Sequence, residues 1–318
     1  MRLVVIIPAL NEEQTIAEVI KEIPRSIEGI TDVKILILDD GSKDNTVSVS
    51  KKAGADWVIS QPQNKGLART FKRAIEEALK RDADIIVNTD ADNHYDQTQI
   101  PKLIEPILKK KAEIVVGNRN IWELTDMPFS KKLGNTLGSF FVRKIARIPL
   151  KVDASSGFRA YSRDAALKIN VLSDHTYAHE TLIQAYDHGI ALACIDIPAR
   201  NVERPSRLIN NVPVHIFKSL IVILRILTIY KPLRVMLFIG GSIFLLGLIV
   251  VLRFFYYYIT MGGEGHIQSL ILASALMIIG FQIAVLALIS SAIGWNRKIL
   301  EETLYREKKN EFSSPNRD

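Results

Sequence analysis

The stretch Ile85–Asp96, IIVNTDADNHYD, decides how the rest of this chain is interpreted. Its first three residues are apolar and predict a buried strand, which is followed by two carboxylates one residue apart, Asp90 and Asp92. In an open α/β sheet, ligands bind at the carboxyl ends of the strands. Two aspartates there repel each other unless a cation lies between them, and Mg²⁺ prefers carboxylate oxygens. His94 would add a nitrogen ligand and so favour Mn²⁺, whereas the alternative is a plain acidic turn after the strand.

Strands alternate with helices on both sides of this stretch. The predicted strands are Leu3–Ile7, Val33–Leu38, Asp56–Ser60, Ile85–Thr89 and Glu113–Gly117, and the predicted helices between them include Glu12–Ile23, Lys65–Lys80 and Gln97–Lys110. Asn11 is the predicted N-cap of the first helix. The alternation predicts an α/β fold with right-handed βαβ units and a mainly parallel sheet covered on both faces. Beyond residue 119 we expect a basic helix over 131–147, a turn and strand over 153–161, a helix over 177–189 and a strand over 191–198.

The composition indicates a soluble part joined to a membrane part. The chain has 318 residues, a net charge of +7 and 24% charged residues, yet its mean hydropathy is +0.13. Cys194 is the single cysteine, which excludes an intramolecular disulfide and a cysteine metal cluster. The N-terminal apolar run is short and meets Pro8, which is not typical of a signal peptide. We therefore expect the catalytic part to stay in the cytoplasm.

Two charge-free segments predict a transmembrane hairpin. Val235–Leu252 has 18 residues without charge, which as a helix spans roughly 27 Å, about the hydrocarbon thickness of a bilayer. Ile267–Trp295 has 29 such residues, enough to cross with tilt. Ahead of them, Lys218 and Arg225 share one face of an apolar stretch, which is typical of a helix in the membrane interface. The alternative for the two long segments is a buried core hairpin.

Basic residues predict the orientation of this hairpin. The flank 214–234 carries four Lys or Arg residues, the flank 297–309 carries five, and the loop 253–266 carries only Arg253. Because Lys and Arg accumulate in cytoplasmic loops, we expect both ends of the hairpin on the cytoplasmic side. The expected organisation is a catalytic domain over 1–211, an interfacial helix over 212–231, a hairpin over 232–297 and a charged tail over 298–318.

Five short motifs occur in one order along the first part of the chain. They are Pro8–Glu13 (PALNEE), Asp39–Thr46 (DDGSKDNT), Asp90–Asp92 (DAD), Gly117–Arg119 (GNR) and Ser156–Arg159 (SGFR). Together they resemble family 2 glycosyltransferases of the GT-A fold, and within them the polyisoprenyl-phosphate glycosyltransferases similar to dolichyl-phosphate mannose synthase. The resemblance covers roughly residues 1–210, and the trailing hairpin fits the same subgroup.

The resemblance implies a donor site and a metal site. The implied nucleotide-sugar contacts are Pro8, Leu10, Asn11, Glu12, Asp40, Lys65, Asp90 and Arg119. Asp40 is at the position that reads the base, and because its carboxylate can accept a ring N–H from uracil or guanine, both GDP-mannose and a UDP-hexose stay open as donors. Asp92 is the leading ligand for Mg²⁺ or Mn²⁺, with Asp90 second and His94 third. The alternatives are a solvent-facing turn histidine for His94 and a salt bridge within the fold for Arg119.

The resemblance also implies an acceptor side. Arg204 and Arg207 lie in the basic loop before the membrane segment, and guanidinium groups suit phosphate; the alternative is a solvated loop near anionic headgroups. Ser156, Gly157 and Arg159 form the acceptor loop. Asp153 and Glu180 are the two candidates for the carboxylate that faces the acceptor. Together with the leading metal ligand, Asp92, they are the implied catalytic residues.

The expected function is inverting, metal-dependent transfer of a sugar from a nucleotide-sugar to a polyisoprenyl phosphate at the cytoplasmic membrane face. The expected partners are these two substrates and membrane lipids, without nucleic acid, and a homo-oligomer stays open. A family 2 enzyme acting on another lipid-linked or glycan acceptor is the nearest rival, and a non-catalytic membrane scaffold is another. The chain has no QxxRW motif of processive synthases and no GxGxxG after a strand, which argues against a polymerase and a dehydrogenase.

Overall fold

The computed structural model describes residues 1–119, 136, 139–140, 152–171, 177–198, 200, 232–262 and 267–312. The chain divides into two compact units, one of Met1–Phe217 with Leu304–Asp318 and one of Lys218–Thr303. Most of the predicted helix 131–147, the predicted interfacial helix 212–231, and Arg204 and Arg207 lie outside the described residues.

The first unit contains a seven-stranded sheet in the order β3-β2-β1-β4-β6-β5-β7. The strands are β1 Arg2–Ala9, β2 Asp32–Asp39, β3 Trp57–Ser60, β4 Ile85–Asn88, β5 Ile114–Arg119, β6 Arg159–Ser162 and β7 Leu192–Ile197. Neighbouring strands are parallel except at β6, which is antiparallel to both β4 and β5. The predicted mainly parallel α/β sheet is therefore confirmed.

Helices cover both faces of this sheet. They are α1 Ile16–Glu22, α2 Thr46–Lys52, α3 Leu67–Lys80, α4 Ile100–Leu108, α5 Arg163–Lys168 and α6 Ala178–Asp187. Alternate residues of β1 enter different core clusters: Val5 packs with Ile100 of α4 on one face, and Val4 packs with Phe71 of α3 on the other. Burial on both faces explains why the parallel strands are continuous apolar runs.

The first helix begins later than predicted, at Ile16 rather than Glu12. The backbone N–H groups of Asn11 and Glu12 donate to Ser42 Oγ and Thr46 Oγ1, each at 2.8 Å. Asn11 has a φ of 55°, which is not helical, and it does not cap the helix. The segment after β1 is thus bonded to the loop after β2 and to the first residue of α2, and it does not form the first turn of α1.

The second unit is built from two long apolar helices. They are α7, Pro232–Met261, and α8, Ile267–Glu311, whose last residues from Leu304 belong to the first unit. In their most apolar windows only 11% and 17% of residues are buried, which does not fit a buried core hairpin. The helices approach closely at glycines, since a Cβ added to Gly240 would lie 2.8 Å from the Gly280 carbonyl oxygen. By length and composition, both helices can cross a membrane.

The C-terminal residues from Leu304 to Phe312 pack within the first unit. The Tyr305 hydroxyl donates to Asp164 Oδ1 at 2.7 Å, and the Arg163 guanidinium donates to the Phe312 carbonyl oxygen. The Phe312 side chain is buried in the core cluster that also contains Phe71. The predicted charged tail therefore includes an ordered helical part that contributes to the core of the first unit.

Candidate active site

Three strand ends bring the predicted donor residues to one edge of the sheet. Strands β2, β1 and β4 are adjacent and parallel, so the residues that follow them lie at the same edge. These are Glu12 after β1, Asp40 after β2 and Asp90 after β4. The Thr15 hydroxyl donates to the Ala91 carbonyl oxygen at 2.7 Å, which ties the segment after β1 to the loop after β4.

Asp40 anchors the segment that begins α3. Its Oδ1 accepts from the Lys65 backbone N–H at 2.8 Å and from Gln61 Nε2 at 3.2 Å, and its Oδ2 accepts from the Gly66 N–H at 2.9 Å. A carboxylate accepts about four hydrogen bonds, so capacity remains for a base N–H. Lys65 joins this site through its backbone, and its side chain is exposed.

Asp90 and Asp92 form a pair of interacting carboxylates. Burial, followed by the negative charge of Asp92, raises the pKa of Asp90 to about 7, against the opposing positive charges of Arg119 and Arg159. Two carboxylates that resist being charged together fit a divalent cation. Among the residues that the structure describes, no three His, Cys, Asp or Glu side chains converge as a metal cluster.

His94 lies on the loop after this pair. Its backbone N–H donates to Asp92 Oδ1 at 3.2 Å, and its ring packs edge-on against Tyr95 with centroids 5.4 Å apart. The first contact holds the backbone of His94 next to the Asp92 carboxylate. Its role as a metal ligand stays a prediction.

Arg119 and Asp153 form a buried ion pair. Arg119 Nε donates to Asp153 Oδ2 at 2.7 Å, and Arg119 Nη2 donates to Ser155 Oγ at 2.8 Å. Burial alone would raise the pKa of Asp153, but Arg119 and Ser155 bring it below its ordinary value. The salt bridge that the sequence left open for Arg119 is thus present, and a phosphate contact by Arg119 stays a prediction.

Arg159 supports the acceptor loop from inside the fold. It is fully buried and donates to the carbonyl oxygens of Ala154, Ser156 and Ala178 at 2.9, 2.8 and 2.6 Å. Because Ala178 opens α6, Arg159 joins the loop to that helix. Glu180 lies on the same helix and is 6% exposed, and Gln184 Nε2 donates to Glu180 Oε1 at 3.4 Å. Both side chains are therefore buried, and the role of Glu180 toward an acceptor stays a prediction.

Sequence reasoning missed Arg200 as a residue that holds the loop after β4. Arg200 Nη1 donates to the Glu22 carboxylate at 2.8 and 2.9 Å and to Asn93 Oδ1 at 2.8 Å. Its backbone N–H donates to the His94 carbonyl oxygen at 2.9 Å. The partner Glu22 is 178 residues away along the chain, so no local pattern indicated this contact.

Tyr95 was missed as well. Its ring stacks on Phe158 with centroids 5.2 Å apart, and its hydroxyl accepts from the Gly157 backbone N–H at 2.9 Å. From the sequence, a tyrosine directly after His94 is interpreted as a core aromatic residue, because its polar contact is with a loop 62 residues later.

Comparisons with known proteins agree with this geometry. The sequence profile described as "Glycosyl transferase family 2" matches residues 4–169. The chain is 34% identical over 200 residues to the UDP-N-acetylglucosamine–dolichyl-phosphate N-acetylglucosaminyltransferase of Methanococcus voltae, covering 57% of this chain and 76% of that protein. It is 30% identical over 203 residues to the dolichyl-phosphate hexose transferase of Haloferax volcanii, covering 62% and 82%.

A solved structure matches the fold at lower sequence identity. Glucosyl-3-phosphoglycerate synthase from Mycobacterium tuberculosis, crystallised with Mn²⁺, UDP-glucose and phosphoglyceric acid, superposes with a TM-score of 0.54 at 21% identity. The match covers 70% of this chain and 79% of that chain. The fold is GT-A-like, with a mostly parallel sheet followed by two long apolar helices.

Proposed function

The chain belongs to glycosyltransferase family 2 and is a hexosyltransferase, and from this premise we propose that it transfers a sugar from a nucleotide-sugar to a polyisoprenyl phosphate. The donor would be GDP-mannose or a UDP-hexose. The observation that carries the proposal is the shared sheet edge at which Glu12, Asp40 and Asp90 follow β1, β2 and β4. The names of the Methanococcus and Haloferax relatives support a dolichyl-phosphate-like acceptor.

Asp90 and Asp92 would hold Mg²⁺ or Mn²⁺, with His94 as a third candidate ligand. When bound, the cation would neutralise charge that develops on the leaving diphosphate. The burial and the neighbouring charge of Asp92, which together raise the pKa of Asp90, support this assignment, as does the Mn²⁺ in the structural relative. Pro8, Leu10, Asn11 and Lys65 would complete the donor cleft around Asp40.

The protein's own residues would act mainly by positioning. A lipid phosphate is already ionised, with a second pKa of about 6, so transfer needs charge neutralisation more than a strong base. Arg204 and Arg207 would hold this phosphate, while Asp153 and Glu180 would orient the acceptor side. A phosphate oxygen would form a bond to the anomeric carbon as the bond from that carbon to the diphosphate breaks on the opposite face. The nucleoside diphosphate leaves, and the sugar configuration inverts.

We place the catalytic domain over 1–211, an interfacial helix over 212–231, a transmembrane hairpin over 232–297 and the tail over 298–318, with both ends cytoplasmic. The first unit contains residues that precede α7 and residues that follow the apolar part of α8. Both sets lie on one side of a membrane only if the chain crosses it an even number of times, as a two-helix hairpin does. The excess of Lys and Arg in the two flanks supports the cytoplasmic orientation.

The test is direct product formation. Full-length protein purified in detergent is incubated with Mn²⁺ or Mg²⁺, a panel of GDP- and UDP-sugars, and either polyprenyl phosphate or a lipid diphosphate sugar. We expect one donor to give a lipid-phosphate sugar with inverted configuration. Transfer only to the lipid diphosphate sugar would assign a different acceptor, and no transfer from any donor would contradict the proposal.

A further inference from the structure

The backbone of Gly157 is held on both sides by buried side chains. Its N–H donates to the Tyr95 hydroxyl at 2.9 Å, and its carbonyl oxygen accepts from Asn88 Nδ2 at 2.7 Å. Asn88 Nδ2 also donates to the Tyr177 hydroxyl at 2.9 Å. Because a carbonyl oxygen can only accept, the amide nitrogen of Asn88 must be the group that faces Gly157.

Gly157 also lies directly against a candidate metal ligand. A Cβ added to Gly157 would be 2.7 Å from Asp90 Oδ1, 2.9 Å from Asp90 Oδ2 and 3.0 Å from the Tyr177 hydroxyl. These distances are too short for any side chain, so only glycine lets the loop approach Asp90 this closely. The acceptor loop and the donor-side carboxylate therefore meet at one residue.

The groups that hold Gly157 are themselves fixed by packing. The Tyr95 ring stacks on Phe158. The Tyr177 ring stacks on Phe71 of α3, with centroids 3.9 Å apart and planes 7° apart. Asn88 is the last residue of β4 and is fully buried. Side chains locked in this way can hold a neighbouring group to a fraction of an ångström.

We propose that Asn88, Tyr95 and Tyr177 are positioning residues that fix Gly157 against Asp90 and thereby set the spacing between donor and acceptor. This inference rests on the proposed function. Because proximity contributes strongly to catalysis, loosening this contact lowers the rate of transfer at saturating substrates. Donor binding changes less than the rate of transfer, since the residues at Asp40 stay in place, and Asn88→Ala is the cleaner variant because the Tyr95 side chain also hydrogen-bonds to Asp90.

The test compares tyrosine hydroxyls in the full-length protein. Tyr95→Phe removes the hydroxyl that accepts from Gly157 and keeps the ring stack, and Asn88→Ala removes the opposite contact. Tyr161→Phe is the matched control, because Tyr161 is a fully buried tyrosine on β6 whose ring packs 6.0 Å from Phe71. We expect Tyr95→Phe to lower kcat about twofold to tenfold, as for one lost neutral hydrogen bond. Donor Kd by calorimetry should stay within about twofold in Asn88→Ala, which loses the contact to the Gly157 carbonyl oxygen.

Hydrogen–deuterium exchange gives a readout that does not need turnover. Exchange over residues 152–160 should be faster in Tyr95→Phe and Asn88→Ala than in wild type, and unchanged in Tyr161→Phe. Unchanged exchange and kcat in both variants, or equal losses in kcat and donor affinity, would overturn the proposal. If wild-type protein makes no lipid-phosphate sugar, the proposed function fails. In that case, faster exchange over residues 152–160 in the two variants, with intact donor binding, still supports the contacts that hold Gly157.

Discussion

Arg119 donates to Asp153 Oδ2 at 2.7 Å, and the two side chains are only 10% and 2% exposed. Removing one partner of such a pair leaves an uncompensated buried charge, which costs about 3–5 kcal/mol. We therefore expect Asp153→Asn to lower the melting temperature of the detergent-solubilised protein clearly. Arg119→Met with Asp153→Leu should lose less stability than either single substitution, because neither charge is then left unpaired.

The same pair predicts a dependence on pH. Arg119 and Ser155 hold the pKa of Asp153 below its ordinary value despite burial, so the unfolded chain takes up this proton first as the pH falls. The contribution is fully present above about pH 4 and is lost as the pH falls further. The difference in melting temperature between wild type and Asp153→Asn should stay constant from pH 7 to 5 and shrink below about pH 4. A difference that grows on acidification would contradict this assignment.

Asp92→Asn should keep the fold and lose nearly all transfer activity. The residue lies on the loop after β4 and not in the core, and an amide is a poor replacement for a carboxylate that binds a hard cation. Calorimetry should show weaker Mn²⁺ binding, with an unchanged melting temperature. Asp187→Asn, at the end of α6, is the matched control. Full turnover of wild type in excess chelator would refute metal dependence.

Arg204→Ala and Arg207→Ala should each lower transfer about tenfold to 150-fold. A charge-assisted contact with a phosphate is worth about 1.5–3 kcal/mol, which corresponds to those factors. Initial rates with a short, water-soluble polyprenyl phosphate and donor affinity by calorimetry measure the effect, with Arg73→Ala on α3 as the control. Normal rates in both variants would mean that this loop only faces the membrane.

Asp153→Asn should impair transfer with donor binding nearly intact.

Cysteine labelling tests the orientation of the hairpin. A cysteine at Gly263 should react with an impermeant thiol reagent outside intact cells, and one at Ser313 only after permeabilisation. The native Cys194 gives little background, because burial raises the pKa of its thiol to about 11 and the thiolate is the reactive form. The opposite labelling pattern would place the catalytic unit, and its nucleotide donor, outside the cytoplasm.

Phe312→Ala should destabilise the catalytic unit although it lies at the end of the chain. Its side chain is 7% exposed in the core cluster with Phe71, and truncating a buried phenylalanine costs about 3–5 kcal/mol. Glu311→Ala, at the adjacent exposed position, should leave the melting temperature unchanged. Equal melting temperatures for the two variants would show that the C-terminal segment is not part of the core.

Local patterns predicted the parts of the fold that depend on local chemistry. Strands β1, β2 and β4 are apolar runs because both of their faces are buried. Because ligands bind at the ends of parallel strands, the sequence also predicted that Asp40 and Asp90 lie at one edge of the sheet. The predicted start of α1 was wrong because Ser42, in the loop after β2, and Thr46, the first residue of α2, accept from the N–H groups of Asn11 and Glu12. The antiparallel direction of β6 likewise depends on contacts distant in sequence, which periodicity does not report.

The packing of Tyr305 and Phe312 in the first unit has a consequence for biosynthesis. These residues come after the apolar parts of α7 and α8 in the sequence, so the ribosome produces both apolar segments before the core cluster around Phe71 can close. Until then, the nascent chain carries an unfinished catalytic unit while its apolar helices are available for membrane insertion. We therefore expect the enzyme to complete the folding of its first unit only after both apolar helices have been made.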